Sequence, residues 1–240
     1  MGQSSNEIIL AAHKGACAEY MENSLEAICT AYSYGATHVE VDIRKSKDDV
    51  LVLFHDFHTM KFNNKFQLVA NLTAEELKRT NISGTGKVVT LKELLSYLSD
   101  CHIEGKLILD IKVSGIETEV LYLIDYFNFW DRVIISSFYF WILRSFKRKV
   151  SRNLRQAFIF PPFFIPTKLL VDLAKKTEVS YIDVSKWRVN VEFLENLGFN
   201  VYKPIQTVEE ANKFFLNGGV GFTTDNMDLI NYFSTKFSFC

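Results

Sequence analysis

His38-Val-Glu-Val-Asp-Ile-Arg-Lys-Ser-Lys-Asp-Asp-Val-Leu-Val-Leu-Phe-His-Asp56 is the stretch on which the fold turns. It holds two apolar, β-branched runs, 38–43 and 50–55, that read as strands. Only Arg44–Asp49 joins them. So short a connection cannot cross over between parallel strands, which takes about a dozen residues or more. It can close a hairpin, and a turn centred on Lys47-Asp48 pairs Glu40 with His55. A carboxylate and a histidine then stand side by side, provided that both face inward.

Outward from this stretch, strand-like and helix-like runs alternate along the whole chain. Further strands are expected at 8–12, 106–111, 133–137, 155–160, 180–184, 200–203 and 221–224. Helices are expected at 24–34, 73–79, 91–99, 117–128, 138–149, 167–176, 191–197 and 208–217. Thr73 with Glu76, and Thr90 with Glu93, are capping boxes, and Asn23 or Ser24 can cap the first helix. Such alternation implies an α/β fold with a mainly parallel sheet. No Pro/Gly/Ser-rich linker interrupts it, so residues 1–240 are read as one domain. Chemistry-bearing residues cluster at the ends of four strands, which suits a (β/α)8 TIM barrel with its site at the C-terminal face of the strands. An open doubly wound sheet would concentrate them at one switch point, often beside a Gly-rich loop, and no such loop is present. Nine strand candidates compete for eight places. The expected barrel is therefore irregular, with an antiparallel β2-β3 hairpin.

Five short words carry chemistry: His13-Lys14-Gly15, Glu22-Asn23-Ser24, Glu40-Val41-Asp42, His55-Asp56 and Asp110-Ile111-Lys112. Two histidines can exchange protons near neutral pH. Three carboxylates, Glu40, Asp42 and Asp110, can hold a hard divalent cation through oxygen. Lys14 and Lys112 can face an anion. These are parts suited to cutting a phosphodiester. Alone, each word has a plainer reading as edge charge, turn or helix cap. His38, His58 and His102 belong to no such word and are read as structural or surface residues.

In order and spacing the words resemble the glycerophosphodiester phosphodiesterase family, of the phospholipase-C-like barrel superfamily. The family pattern H-R-G, P-E-N-T, E-x-D, H-D appears here as AHKG, MENS, EVDI and FHD. Ser137-Phe138 and Thr224-Asp225 match later and weaker words. The resemblance implies His13 and His55 as the acid–base pair. It implies Glu40, Asp42 and Asp110 as holders of Mg2+ or Ca2+, with Mn2+ an alternative. Lys112 would contact the phosphate, and Lys14 stands where the family has Arg. Glu22 and Asn23 would support the centre from behind. In this family the nucleophile is typically the substrate's own glycerol hydroxyl, and water opens the resulting cyclic phosphate. The implied activity is metal-dependent hydrolysis of glycerophosphodiesters to glycerol 3-phosphate and an alcohol, within lipid metabolism. The alternatives are lysophospholipase-D-type hydrolysis of lysophospholipids, and a catalytically silent barrel acting as a binding module. Three departures stand out: Lys14 for Arg, the shorter Asp110 for Glu, and Tyr202-Lys203-Pro204-Ile205 where W-T-x-N is common.

Composition narrows the partners. A formal net charge of −1 gives no global attraction to nucleic acid. Four cysteines without a CxxC pair read as reduced thiols, so the expected location is cytoplasmic. Residues 1–7 lack the pattern of a secretory signal, and Asn6 stands where a myristoylation site wants Ser or Thr. Between Asp131 and Asp172 there is no acidic residue, while Arg144, Lys147, Arg148, Lys149, Arg152 and Arg155 all lie there. The stretch ends in Phe158-Ile-Phe-Pro-Pro-Phe-Phe-Ile-Pro166, read as a loop over the barrel mouth. Beside a basic collar, that loop would suit peripheral contact with a membrane or an acyl chain. Oligomeric state is not legible.

Overall fold

The computed structural model describes residues 7–80, 86–161, 165–184 and 189–237. Nine strands run in the order β1 (Ile9–His13), β2 (His38–Lys45), β3 (Leu51–Leu53), β4 (Lys106–Ile111), β5 (Val133–Ser137), β6 (Gln156–Ile159), β7 (Tyr181–Asp183), β8 (Asn200–Pro204) and β9 (Gly221–Thr224). Eight of them, all but β3, close into a parallel barrel through the β1–β2 and β1–β9 pairings. The helices are α1 (Leu25–Ser33), α2 (Met60–Asn63), α3 (Ala74–Arg79), α4 (Leu91–Asp100), α5 (Glu117–Tyr126), α6 (Phe140–Lys149), α7 (Thr167–Thr177), α8 (Val191–Asn196), α9 (Val208–Leu216) and α10 (Met227–Phe237). The expected capping boxes at Thr73 and Thr90 are both formed, and Ser24 rather than Asn23 caps α1. The short α2 and the C-terminal α10 were not among the expected elements.

Strand alternation divides the core. Ile9, Ala11, Ile108, Ile134, Ala157, Tyr181 and Tyr202 fill the barrel interior. Their neighbours, such as Leu10, Leu107, Leu109 and Ile135, face outward onto the helices. Closure is tight where β9 meets β1: a Cβ on Gly221 would lie 2.0 Å from Ile9 O, so only glycine fits. A third cluster, Met21, Val52, Phe54, Val69, Ala74, Leu77 and Val88, packs the excursion between β2 and β4 onto the side of the barrel.

The ninth strand is β3. It pairs antiparallel with β2 and takes no place in the barrel. The register differs by one residue from the expected hairpin. Ile43 pairs with Leu53 and Lys45 with Leu51, so the turn is centred on Asp48 and Glu40 does not pair with His55. The turn holds an extra residue because Asp49 takes a left-handed conformation, φ +61°. Ser46 Oγ donates to Asp48 Oδ1 (2.6 Å), and the same oxygen accepts from Ala74 N (2.9 Å), which ties the turn to α3.

Charged residues close the floor, the N-terminal end of the strands. The Glu7 carboxylate is paired with Lys106 and with Arg155 (2.8 Å), and it lies 3.7 Å from His38 Nε2. The basic stretch is thus not a collar at the mouth. Lys147 pairs with Glu178 (3.2 Å) after α7, Arg152 with Asp125 (3.7 Å) late in α5, and Arg155 with Glu7. These helices start at the mouth and end at the floor, so their last turns lie far from the site. The start of the expected aromatic loop belongs to β6 and the core. Phe158, in β6, and Phe160 are fully buried, Ile165 is half-buried and Pro166 is exposed. Pro162, Phe163 and Phe164 lie outside the described residues.

His38 is wholly buried, with Nδ1 2.9 Å from Thr37 Oγ1. Burial pushes its pKa down from 6.5 to about 3, against the pull of Glu7. A histidine held neutral in this way stabilises fully above its unfolded pKa and loses that contribution as pH falls through the window down to about 3. Denaturant midpoints should therefore drop on acidification from 6.5 towards 4. In the same titration, His38→Gln should flatten the slope by up to ~1.4 kcal/mol per pH unit. An unchanged slope in the variant would assign the acid sensitivity to other groups.

Candidate active site

Three strands meet at the carboxylates. Glu40 and Asp42 are alternate residues of β2, so both point into the barrel. Parallel pairing sets Asp42 beside Asp110 of β4, and Glu40 beside His13 of β1. Glu40, Asp42 and Asp110 each offer an oxygen, all within 4.8 Å of one another, and all three side chains are buried. This all-oxygen set could hold a hard divalent cation. Asp110 Oδ1 is buried with no hydrogen-bond partner among the described residues, which leaves acceptor capacity for such an ion.

Like charges this close need compensation. Lys112 Nζ lies 2.9 Å from Asp42 Oδ1 and also pairs with Asp110. Burial would lower the Lys112 pKa, but Asp110, Asp42 and Glu40 raise it, so the ammonium stays charged. Asn23 clamps Asp42 twice: Nδ2 donates to Oδ2 (2.9 Å), and Oδ1 accepts from Asp42 N (3.0 Å). Burial alone would raise the Asp42 pKa. The charges of Lys112, His55 and Lys14, with the Asn23 amide, hold it below the usual carboxylate range. At Glu40, burial and the Asp42 charge outweigh the pull of His13 and Lys112 and push the pKa up to about 8. Burial raises Asp110 as well.

Both histidines are held through Nδ1 by a carboxylate. His13 ends β1, and its Nδ1 lies 2.8 Å from Asp225 Oδ1. Asp225 follows β9, which is the neighbour of β1 only because the barrel closes. Cys17 Sγ donates to the same oxygen (3.2 Å). Burial would lower the His13 pKa, but Asp225 and Glu40 outweigh it and raise it. His55 Nδ1 lies 2.7 Å from Asp56 Oδ1, and Arg44 Nε donates to the His55 carbonyl (2.9 Å). A carboxylate at Nδ1 favours the proton there and leaves Nε2 for the cavity. His13, His55, Glu40, Asp110 and Lys112 line one cavity of about 140 Å3, closed by Phe138, Tyr202 and Thr223.

Two expected residues are placed differently. Lys14 has φ +59°, and its backbone N–H, not its ammonium, reaches Glu40, at 3.0 Å to O and 3.2 Å to Oε2. Its Nζ lies 3.6 Å from Glu22 Oε2, and the residue does not line the cavity. Glu22 touches no carboxylate of the cluster; its Oε2 holds Lys61 (2.5 Å) and Lys14. Asp225 and Asp56 stand in recognised words, but sequence reasoning assigned them no role. For Asp56 the signal was adjacency to His55. For Asp225 it was barrel closure, which no local pattern reveals.

Comparison with known proteins gives a consistent result. The profile of the Glycerophosphoryl diester phosphodiesterase family matches residues 13–229. A glycerophosphodiester phosphodiesterase of Caldanaerobacter subterraneus subsp. tengcongensis is 29% identical over 153 residues, 58% of this chain and 62% of that protein. One from Bacillus altitudinis is 30% identical over 151 residues, 57% of this chain and 60% of that protein. The matched stretch thus spans about three fifths of each relative's own length. An Oleispira antarctica phosphodiesterase, solved in complex with the product sn-glycerol-3-phosphate, superposes with a TM-score of 0.74 at 18% identity. That match covers 94% of this chain and 96% of the other, and at this identity it establishes the fold alone.

Asn23 combines its two buried hydrogen bonds with a left-handed backbone, φ +61°. Asn23→Ala should destabilise by ~2–4 kcal/mol, through the lost bonds and ~1–2 kcal/mol of backbone strain. Asn23→Gly removes the strain but not the lost bonds, so it should recover ~1 kcal/mol of that loss. Urea denaturation of the pair measures both contributions, and equal midpoints would show that the backbone adds nothing.

Proposed function

This chain belongs to the glycerophosphoryl diester phosphodiesterase family, and from that premise we propose that it hydrolyses glycerophosphodiesters to glycerol 3-phosphate and an alcohol. The observation that carries the reading is the convergence of two carboxylate-held histidines with Glu40 and Asp110 on one small cavity, with the buried Asp42 within 4.8 Å of both carboxylates. A binding module with no catalysis would have no use for so concentrated a set of buried charges.

The residues divide the work. A divalent cation held by Glu40, Asp42 and Asp110 would neutralise the phosphodiester charge and stabilise charge that develops in transfer. The Lys112 ammonium, fixed beside Asp42, supplies a second positive charge at the cavity wall. One histidine Nε2 accepts the proton of the attacking glycerol hydroxyl, and the other donates a proton to the departing alcohol oxygen. A new P–O bond forms as the old one breaks, and the product is a cyclic phosphate. Water then opens the ring with the histidine roles exchanged, which restores both protonation states. Asp225 and Asp56 keep each ring in the tautomer and orientation that the transfers need.

Hydrolysis of glycerophosphocholine should stop in EDTA and return with Mg2+, Mn2+ or Ca2+. Glu40 must lose its proton to act as a ligand, so cation affinity should rise with pH and level off above about 8. Full turnover in EDTA, by protein free of bound metal, would sink the cation assignment. His13→Ala and His55→Ala should each slow turnover by at least ~100-fold with an unchanged circular dichroism spectrum. Near-normal turnover in either variant would remove that histidine from the mechanism.

A further inference from the structure

We propose that Cys17 is a positioning residue for the proton transfers at His13: its thiol pins the Asp225 carboxylate that holds the imidazole ring. The inference rests on the hydrolase reading above and deepens it. Asp225 Oδ1 serves two partners at once, His13 Nδ1 at 2.8 Å and Cys17 Sγ at 3.2 Å. Sequence reasoning gave Cys17 no role beyond that of a reduced thiol.

The two histidines differ in what their carboxylates need. Asp56 is the chain neighbour of His55, and 28% of its side chain is exposed. Asp225 meets His13 from a distant part of the chain, and 50% of its side chain is exposed. A carboxylate so open to water can turn towards it, and a ring held by that carboxylate alone would turn as well. The main chain around Asp225 is tethered: Thr224 Oγ1 donates to Gln206 Oε1 (2.9 Å) and accepts from Asn226 N (3.1 Å). Those bonds leave the side-chain torsions of Asp225 free. Among the described residues, only His13 and Cys17 hydrogen-bond the Asp225 side chain, so Cys17 is the anchor independent of the ring.

Cys17 is itself fixed. Its N–H donates to Gly15 O (2.8 Å), and the Ala16 N–H donates to Ala27 O (2.9 Å) in α1. Burial and the Asp225 charge push the thiol pKa up to about 12, so it stays protonated and available as a donor. The hydrogen bond from His13, and then that from Cys17, hold the Asp225 pKa below the usual carboxylate range against burial, so Asp225 stays an acceptor. A thiol is a weak donor on a small apolar side chain, so it covers the shared oxygen without drawing water to it. The rigid β1–α1 turn thus reaches across to the end of β9 and sets the angle at which His13 presents Nε2 to the cavity.

Infrared difference spectra test the contact, and kinetics test its use. The difference between wild type and Cys17→Ala should contain an S–H stretching band displaced to low frequency by the hydrogen bond. Asp225→Ala should return that band to the free-thiol frequency. With glycerophosphocholine, Cys17→Ala should lower kcat ~10-fold and leave KM within about twofold, because the loss falls on the histidine and not on substrate binding. Cys17→Ser restores a donor and should recover most of that loss. Cys17 is only half-buried, so both variants should melt with the wild type. A wild-type thiol band already at the free frequency, or an unchanged kcat in Cys17→Ala, would overturn the proposal. A raised KM or a lowered Tm in place of the kcat loss would also overturn it, since either marks a merely structural role. So would a Cys17→Ser variant as slow as Cys17→Ala. A wild type that shows the displaced band but fails to hydrolyse glycerophosphocholine, with metal added, would instead strike at the hydrolase reading and take the role of Cys17 with it.

Discussion

One edge of β2 serves two strands, and the site depends on that division. Residues 38–40 pair with β1, and residues 43–45 pair with β3. β1 rises from the floor and must stop at His13, because β3 descends along the edge above it. The chain leaves β1 by a sharp turn through Lys14 and Gly15, at φ +59° and +81°. A Cβ on Gly15 would lie 2.6 Å from Ala27 C, so the turn admits no larger residue. β1 thus ends at His13 and β3 leads down to His55, so the two histidines come to the cavity from strands of opposite direction along one edge of β2.

The carboxylate cluster costs stability in the absence of a cation. Three acidic groups within 4.8 Å in a dry interior cannot all ionise freely, and Glu40 takes most of the strain, its pKa pushed up to about 8. Asn23 and Lys112 limit the damage at Asp42 and Asp110. Such tension is usual where a site awaits a charged ligand, since binding relieves it. The two ends of the barrel thus use charge differently. At the floor, Glu7 balances Lys106 and Arg155 and closes the structure. At the mouth, charge is left incompletely balanced and open to a ligand.

Most of the architecture was legible because strand and helix periodicities are local. All nine strands were expected within a residue or two of their observed bounds, as the apolar runs 106–111 and 133–137 illustrate. The Thr73 and Thr90 capping boxes were equally local. The hairpin was derived from connection length, but its register was missed by one residue. The left-handed Asp49 and the bond from Ala74 to Asp48 set that register, and neither leaves a mark in periodicity. The basic stretch misled for a related reason. Its charges are contiguous in sequence, yet helix direction carries them to the floor, where Glu178, Asp125 and Glu7 meet them.

The sequence by itself determined the α/β barrel, the extra hairpin strand and the inward alternation of Glu40 and Asp42, because a period of two and a six-residue connection leave few choices. Only the tertiary structure decided which carboxylate holds which histidine. Asp225 meets His13 across 212 residues of chain, and the pairing exists because closure makes β9 the neighbour of β1. It also decided that Lys14 presents its backbone to Glu40. Such contacts depend on distances between strand ends, which closure of the sheet sets and local sequence pattern does not.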